Sequence, residues 1–516
     1  MKRSRILTAL ISVTLTAVLT ACSAIGNSGL VAPTDGMPNY SYSIGGNEKA
    51  KYEQEAPAPQ TPSGVNNDPE AEKLVENKFT KTADEPVSTF SADVDTASYS
   101  LFRRLVQNNY SLKELISTAG GYIRTEELIN YFRYDGKKPG EGELFGVSGK
   151  LVDCPWNENS KLLILGLQTE KPEVRAENNL VFLVDISGSM NSEDKLPLLQ
   201  KTFSYLTSNL TENDTVSIVT YASGEKVVLE GCAGNKAEMI QKAIDSLKAQ
   251  GATNGEAGLK TAYQLAEKYY KPDGNNRIIL ASDGDYNVGM SSVEEIEKFV
   301  SEKKKSGVFI SVLGFGYGNY RDSIMETIAD KGNGVYYYID SETEAEKIFG
   351  DDLLSTLYTV AKDVKLQLTF DADSVSSYRL IGYENRMMSA QDFDNDTKDA
   401  GELGAGHSIA VCYELYLNEG AGKICDLSVR YKQPDGEKSE LNEYSFTSDQ
   451  TAAEADADTD LIAALCELGM ILHESEYGSG LDLNSILALL DRNDYSNDRY
   501  RAQFVSLVRD LAGSGK

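Results

Sequence analysis

The chain has 516 residues, of which 41% are hydrophobic and 25% are charged. This length exceeds a single domain of about 150 residues, and the composition is typical of a globular chain rather than a disordered or polytopic one. The net charge of −29 opposes binding to phosphate backbones, so nucleic acid is not an expected partner. Because the chain has only two histidines, His407 and His473, histidine-based zinc sites and Ser-His-Asp catalysis are disfavoured.

The N-terminus has the features of an export signal. A basic start precedes an apolar run at residues 6–18, which is shorter than the roughly 20 residues of a membrane-spanning helix. The Leu-Thr-Ala sequence before Cys22 resembles the lipobox of bacterial lipoproteins. We therefore expect residues 1–21 to be a lipoprotein signal peptide and Cys22 to carry acyl chains. Ordinary cleavage without lipidation is the alternative. Lipidation would anchor the exported protein to the outer face of the cell membrane or to the outer membrane, with no other membrane contact.

A tether and an N-terminal folded region are expected to follow. Residues 22–86 are rich in Gly, Asn, Ser, Pro and charged residues, which predicts a flexible tether. Folded structure is expected from Val87, and residues 87–174 form the predicted N-terminal region. A helical pattern covers Thr96–Tyr134, and strand patterns cover Glu143–Val152 and Lys161–Gln168.

Residues 175–350 alternate between apolar β-type runs and helical patterns. The predicted strands are Leu180–Val184, Val216–Tyr221, Arg277–Ala281 and Val308–Leu313, and the predicted helices are Lys195–Leu210, Ala237–Ala249, Glu256–Tyr269 and Val293–Lys305. Strands that are apolar on both faces and alternate with helices predict an α/β fold. Its sheet is doubly wound, mostly parallel, and covered on both sides. The run Tyr336–Tyr338 is expected on the last strand, packed in the core, with an exposed binding surface as the alternative.

The remainder predicts a β-rich domain at residues 351–450 and a helical segment at 451–516. Strand patterns occur at Val364–Phe370, Ser408–Tyr416, Cys425–Tyr431 and Glu443–Phe446. Because such segments lie on both sides of the central domain, we expect residues 143–170 and 360–450 to form one β-sandwich into which that domain is inserted. The C-terminal helices are expected to pack with the N-terminal helical segment.

Five cysteines lie downstream of Cys22, namely Cys154, Cys232, Cys412, Cys425 and Cys466. Their odd number and wide spacing favour free buried thiols. A disulfide between Cys412 and Cys425 across a hairpin stays open, because export permits disulfides.

Oxygen-bearing side chains follow the predicted central strands. Asp185, Ser187 and Ser189 stand on alternate positions after the first strand, Thr253 lies in a Gly-Ala-Thr segment, and Asp283 follows the third strand. Ligands bind at the carboxyl ends of strands in open α/β sheets, so these residues are expected to converge. An all-oxygen set selects Mg²⁺ over zinc or copper, and Mn²⁺ or Ca²⁺ would also suit it.

These residues resemble the metal-ion-dependent adhesion site (MIDAS) of the von Willebrand factor type A (VWA) domain. The resemblance implies that Ser187, Ser189 and Thr253 touch the cation and that Asp185 and Asp283 act largely through waters. Further segments, from about residue 87 to 512, resemble exported bacterial VWA lipoproteins with their own N-terminal region and C-terminal domain. These segments are Asp93–Ser100, Glu126–Phe132, Cys154–Asn157, Gly314–Tyr320 and Tyr378–Arg386.

The expected function follows from the charge of the ligands. A cation held mainly by neutral hydroxyls keeps positive charge and an open coordination position, which an Asp or Glu of another protein fills. We therefore expect a non-enzymatic cell-surface lipoprotein that mediates divalent-cation-dependent protein binding or assembly with an unidentified partner. The alternatives are a Mg²⁺-dependent hydrolase that uses the same acidic pocket and a structural surface protein with a vestigial site.

Two further acidic motifs are expected to be structural. Asp93 and Asp95 have the spacing of a phosphatase nucleophile motif, but the apolar strand that precedes such a motif is absent, which favours a turn or cap. Asp456 opens an EF-hand-like spacing, but Leu461 stands where the loop requires glycine. These acids are instead expected at a helix N-terminus.

Overall fold

The computed structural model describes residues 74–171, 176–253, 255–284, 293–316, 322–434 and 436–513. The predicted signal peptide and Cys22 lie outside these ranges. The N-terminal part consists of β1 (Thr80–Lys81), β2 (Val87–Ser91), α1 (Ala97–Gln107), α2 (Leu112–Leu115), α3 (Thr125–Asn130), β3 (Phe145–Asp153) and β4 (Lys161–Thr169). The helices followed by β3 and β4 agree with the prediction, whereas β1 and β2 are strands that the sequence analysis does not predict.

The central part alternates strands and helices as predicted. Its strands are β5 (Asn178–Asp185), β6 (Thr215–Tyr221), β7 (Glu225–Ala233), β8 (Asn275–Ser282), β9 (Phe309–Phe315) and β10 (Tyr336–Ile339). Its helices are α4 (Leu196–Thr207), α5 (Ala237–Asp245), α6 (Glu256–Lys268), α7 (Val293–Lys303), α8 (Asp322–Lys331), α9 (Glu342–Glu346) and α10 (Leu353–Leu357). The strand order is β10-β9-β8-β5-β6-β7, and the pairs are parallel except β6 with β7.

Strand β5 is buried on both faces because helices cover both sides of this sheet. Phe182 packs against Phe203 of α4, with ring centroids 4.2 Å apart. The alternate residue Leu183 shares a core with Leu259 of α6. Successive side chains of a strand point to opposite faces, so a strand covered twice must be apolar throughout. The predicted doubly wound α/β sheet is confirmed.

The C-terminal part supplies strands and then helices. They are β11 (Thr359–Phe370), β12 (Val375–Ile381), α11 (Ala390–Phe393), β13 (Gly401–Gly404), β14 (Ser408–Leu417), β15 (Lys423–Lys432), β16 (Ser439–Thr447), α12 (Ser448–Thr451), α13 (Ala457–Leu472), α14 (Leu483–Leu490) and α15 (Arg499–Gly513).

Strands from both sides of the central domain form two packed sheets. One sheet has the order β1-β12-β14-β4-β3, so strands that precede the central domain pair with strands that follow it. The other has the order β13-β11-β15-β16, with β2 also paired to β11. The two sheets pack face to face, and the ring centroids of Phe370 in the second sheet and Tyr413 in the first are 5.2 Å apart. The expected sandwich built from the two flanks is therefore present.

A helical layer covers the outer face of the first sheet. Leu162 and Ile164 of β4 share a core with α1, α3 and the C-terminal helices. Within it, Tyr99 of α1 and Phe504 of α15 have ring centroids 6.2 Å apart. The predicted packing of the C-terminal helices with the N-terminal helical segment is confirmed. In the described ranges, no helix is long and apolar enough to cross a membrane.

The predicted tether does not extend to residue 86. Strand β1 pairs with β12, the Asn77 amide donates to the Gly382 carbonyl at 2.8 Å, and Glu76 forms an ion pair with buried Arg379 at 2.9 Å. The prediction is wrong for residues 74–86, because polar contacts with distant residues order a segment that has few apolar side chains of its own.

The predictions for the Tyr336–Tyr338 run and for the cysteines can be compared with the structure, since both sets of side chains are buried. Tyr336, Tyr337 and Tyr338 of β10 are at most 5% exposed, so they pack in the core rather than form a binding surface. The five described cysteines carry free, buried thiols. Cys412 on β14 and Cys425 on β15 belong to different sheets, so the alternative of a disulfide across a hairpin is wrong.

Candidate metal site at the rim of the central sheet

The loop after β5 brings Asp185, Ser187 and Ser189 together. Asp185 is fully buried, and its Oδ1 accepts a hydrogen bond of 2.8 Å from the backbone NH of Ser187. The hydroxyl oxygens of Ser187 and Ser189 lie 2.9 Å apart. Burial raises the pKa of Asp185 to about 6, against the hydrogen bonds from Ser187 that lower it. The loop thus clusters one carboxylate and two hydroxyls at the carboxyl end of a central strand.

The segment that carries Thr253 docks on this loop. The backbone NH of Gly188 donates to the carbonyl oxygen of Gly251 at 3.0 Å. Gly251 has a φ of +85°, and a Cβ there would lie 2.6 Å from the hydroxyl oxygen of Ser223. That hydroxyl in turn accepts from the NH of Ala252 at 3.0 Å. Half-buried Thr253 therefore follows directly after a segment that is tied to both neighbouring loops.

Asp283 lies beside Asp185 because β8 pairs in parallel with β5. The preceding residue, Ser282, donates its hydroxyl to Asp185 Oδ2 at 3.2 Å, and the charge of Asp283 contributes to the raised pKa of Asp185. The Asp283 side chain is fully buried, and its Oδ2 accepts from Lys195 Nζ at 2.7 Å. The structure thus places both carboxylates at the same end of adjacent strands.

Lys195 and Ser282 are site residues that sequence reasoning missed, and Lys195 is the charged one. It is separated from Asp283 by 88 positions and stands immediately before α4. A single lysine before a helix is indistinguishable in sequence from a solvated surface residue. Only the packing of α4 against the sheet brings its ammonium group to the acid.

The donor set fits a hard divalent cation. Neighbouring ligands of an octahedral Mg²⁺ with bonds near 2.1 Å lie about 3.0 Å apart. The Ser187 and Ser189 hydroxyl oxygens, which are hydrogen-bonded to each other at 2.9 Å, are already close to that spacing. The loop contacts bring the other predicted donors, Asp185, Thr253 and Asp283, to the same rim. When bound, such an ion would supply a positive charge with positions left for outside ligands.

A second group of buried acids contains Asp93, Asp95 and Glu127, whose carboxylate oxygens lie within 4.8 Å of one another. Arginines supply the compensating charge. Arg386 Nη2 lies 3.3 Å from Asp93 and 3.2 Å from Asp95, and Arg124 lies 2.7 Å from Glu127. Burial, and then the neighbouring Asp93, raises the pKa of Asp95 well above its usual range, while Arg386 opposes that shift.

The expectation that no strand precedes the Asp-x-Asp segment is wrong, because the largely buried strand β2 ends two residues before Asp93. Within the segment, the NH of Asp95 donates to Asp93 Oδ1 at 3.2 Å, a local side-chain turn of the kind predicted. Sequence reasoning missed its ion pairs. Arg386 also contacts Glu326 at 3.1 Å and Asp330 at 2.9 Å, both on α8 of the central domain. The cluster therefore links the N-terminal region, the central domain and the segment after β12.

The EF-hand-like acids begin a helix, as predicted. Asp456 is the N-cap of α13, and its Oδ1 accepts from the backbone NH of Thr459 at 3.0 Å. Leu461, at the position that an EF-hand loop reserves for glycine, is fully buried in that helix.

A mostly parallel sheet with helices on both faces, and an Asp-x-Ser-x-Ser loop at its carboxyl rim, defines a von Willebrand factor type A domain protein. The model of that domain matches residues 179–351, and a model described as von Willebrand factor matches 65–164. A model described as uncharacterized protein YfbK, C-terminal, matches 355–427 and 419–513. Domains of this type are generally involved in protein–protein interactions.

The chain belongs to the YfbK family of VWA-domain proteins. It is 37% identical over 463 residues to the uncharacterized protein YfbK of Escherichia coli (strain K12). That alignment covers 84% of this chain and 79% of the relative. Human inter-alpha-trypsin inhibitor heavy chain H3 is 26% identical over 176 residues, covering 33% of this chain and 20% of that one. The chain also resembles a solved von Willebrand factor type A structure from Catenulispora acidiphila, and the alignment covers 73% of this chain and 91% of that one. The TM-score is 0.41 and the identity is 15%.

Proposed function

We propose that this protein binds another protein through a divalent cation, with Mg²⁺ as the first choice and Mn²⁺ or Ca²⁺ also suited. Asp185, Ser187, Ser189, Thr253 and Asp283 would hold the ion. The observation that carries the proposal is the cluster formed by Asp185, Ser187 and Ser189, onto which the Thr253 segment is docked through Gly188 and Gly251.

The charge of this donor set supports binding to an acidic partner. Asp283 is already paired with Lys195, so besides three hydroxyls the set offers a single further carboxylate, that of Asp185. A dication bound there keeps much of its charge, and an Asp or Glu side chain of the partner would complete its coordination. The role is therefore binding or assembly rather than catalysis. A hydrolase would need a base beside the metal, and both acids already accept hydrogen bonds from the protein.

The cellular setting is proposed from the N-terminal sequence. Export, cleavage after Ala21 and lipidation of Cys22 would place the domain at the outer face of the cell membrane or at the outer membrane. Metabolic labelling with a radioactive fatty acid is expected to mark the wild-type protein. The Cys22→Ser variant should remain unlabelled, and equal labelling of both would refute the anchor.

The binding role is tested by Mg²⁺ titration calorimetry and by crosslinking on cells. Wild-type protein should bind Mg²⁺ and capture a partner that is lost in EDTA. Replacing both Ser187 and Ser189 by alanine should abolish both signals. The Ser208→Ala variant removes an exposed hydroxyl at the end of α4 and should behave as wild type. Capture that is equal in EDTA and in millimolar Mg²⁺ would refute the proposal.

A further inference from the structure

An ion pair is built into the rim where the cation is proposed to bind. Lys195 Nζ lies 2.7 Å from Asp283 Oδ2, and the two side chains are 11% and 0% exposed. Removing one partner of a buried pair leaves the other charge uncompensated, which is strongly unfavourable. The pairing with Asp283 therefore holds the ammonium group of Lys195 beside the proposed site.

The path of the lysine side chain is confined by Gly316, the residue after β9. Gly316 has a φ of +82°, and a Cβ there would lie 2.2 Å from Lys195 Cε and 2.8 Å from Cγ. The aliphatic part of Lys195 thus lies directly against the Gly316 backbone. The Gly316 carbonyl oxygen also accepts a hydrogen bond of 2.7 Å from the hydroxyl of Tyr338 on β10.

The N-terminal helix α1 braces the same segment. Arg104 forms an ion pair with Asp194, the residue before Lys195, and donates to the hydroxyl oxygen of Tyr338 at 2.9 Å. Arg104 thereby contacts both Asp194, next to Lys195, and Tyr338, which is hydrogen-bonded to Gly316. This bracing holds Lys195 in place beside Asp283.

We propose that Lys195 is an intrinsic competitor of the divalent cation, and this inference rests on the function proposed above. The Asp283 carboxylate cannot give its full charge to an ammonium group and a dication at once, and the two cations repel each other. The cation alone should therefore bind weakly. It should bind more tightly when a partner's carboxylate adds the missing negative charge, so metal binding and partner binding are coupled.

The test measures Mg²⁺ affinity, with Mg²⁺ alone as the probe. Lys195→Met keeps the aliphatic packing on Gly316 and removes the charge, so its Kd for Mg²⁺ should be lower than wild type by about tenfold or more. Its melting temperature should also rise more on adding Mg²⁺ than that of wild type. Lys201→Met is the matched control, since that lysine is on α4 with a side chain 57% exposed, and it should leave the Kd unchanged.

The outcomes separate this inference from the proposed function. If the wild type binds Mg²⁺ and Lys195→Met binds it with the same Kd, the inference is wrong but the proposed metal site is still supported. Binding by Lys195→Met alone would support the inference, because the lysine would then block the site. If neither protein binds Mg²⁺, the proposed site and the inference both fall. Should Lys195→Met not fold, Lys195→Gln serves for the same comparison.

Discussion

The backbone NH of Gly188 donates a 3.0 Å hydrogen bond to the carbonyl oxygen of Gly251, which joins two loops that are distant in sequence. One loop carries Ser187 and Ser189, and the other leads to Thr253. The contact makes the proposed metal site a product of loop docking as well as of donor side chains. Its geometry should therefore respond to backbone changes that remove no oxygen.

Gly251→Ala is the most direct test of that docking. The φ of +85° disfavours any residue with a side chain, and the added Cβ would approach the Ser223 hydroxyl to 2.6 Å. We expect a loss of about 1–3 kcal/mol in the free energy of unfolding, together with weaker Mg²⁺ binding. Urea unfolding and titration calorimetry measure the two effects. Gly224→Ala is the control, since a Cβ there meets nothing within 4 Å. Unchanged Mg²⁺ binding in Gly251→Ala would contradict the role of the docked loop.

Thr253 is predicted to contribute its hydroxyl and not its methyl group. Thr253→Ala should weaken Mg²⁺ binding by about tenfold or more, a loss within the range seen when groups around a metal are removed. Thr253→Ser keeps the oxygen and should bind nearly as wild type. Because the side chain is half-buried, neither change is expected to unfold the protein. Equal affinities for the alanine and serine variants would remove Thr253 from the donor set.

Arg386 is predicted to be essential for stability. It contacts Asp93, Asp95, Glu326 and Asp330, and its removal would leave the buried carboxylates of Asp93 and Asp95 without this arginine. Arg386→Gln should lower the free energy of unfolding by about 3–5 kcal/mol, as measured by urea denaturation.

The control for Arg386 is an arginine whose ion pair is exposed on the protein surface. Arg509 pairs with Asp491 at 2.7 Å, but both side chains are more than half exposed. Arg509→Gln should change the free energy of unfolding by less than about 1 kcal/mol. Similar losses in the two variants would contradict the assignment of a special role to the buried cluster.

Stability should depend on pH through His407. Its Nδ1 accepts a hydrogen bond of 2.9 Å from the NH of Gly404, and burial lowers its pKa from 6.5 to about 4. Between these values the unfolded chain binds more protons than the folded one. This contribution is therefore present above pH 6.5 and is lost as the pH falls towards 4, by up to about 3 kcal/mol.

The measurement is the free energy of unfolding of wild type and His407→Asn at several values of pH. Asparagine offers an oxygen near the position of Nδ1 and does not titrate. The difference between the two proteins should shrink or reverse in sign between pH 7 and 4. A difference that is constant over this range would show that His407 does not titrate as its surroundings predict.

Most of the candidate site was predictable because its donors follow local patterns. Asp185, Ser187 and Ser189 stand at fixed intervals after a run that is apolar on both faces, and such a run predicts a strand in a covered parallel sheet. Strand β7, by contrast, was not predicted. Its residues Glu225–Ala233 are largely exposed at the edge of the sheet, so they lack the apolar signal of the buried strands.

The sequence by itself determined the alternation of strands and helices in the central domain, the β-rich flanks and the types of donor side chain. Each of these depends on residues close together in the chain. The tertiary structure alone decided that β4 pairs with β14, that Arg386 enters the acidic cluster, and that Lys195 reaches Asp283. Those contacts join segments far apart in sequence, and packing of apolar surfaces brings them together. No local pattern of charge or hydrophobicity specifies which distant partner a polar group will meet.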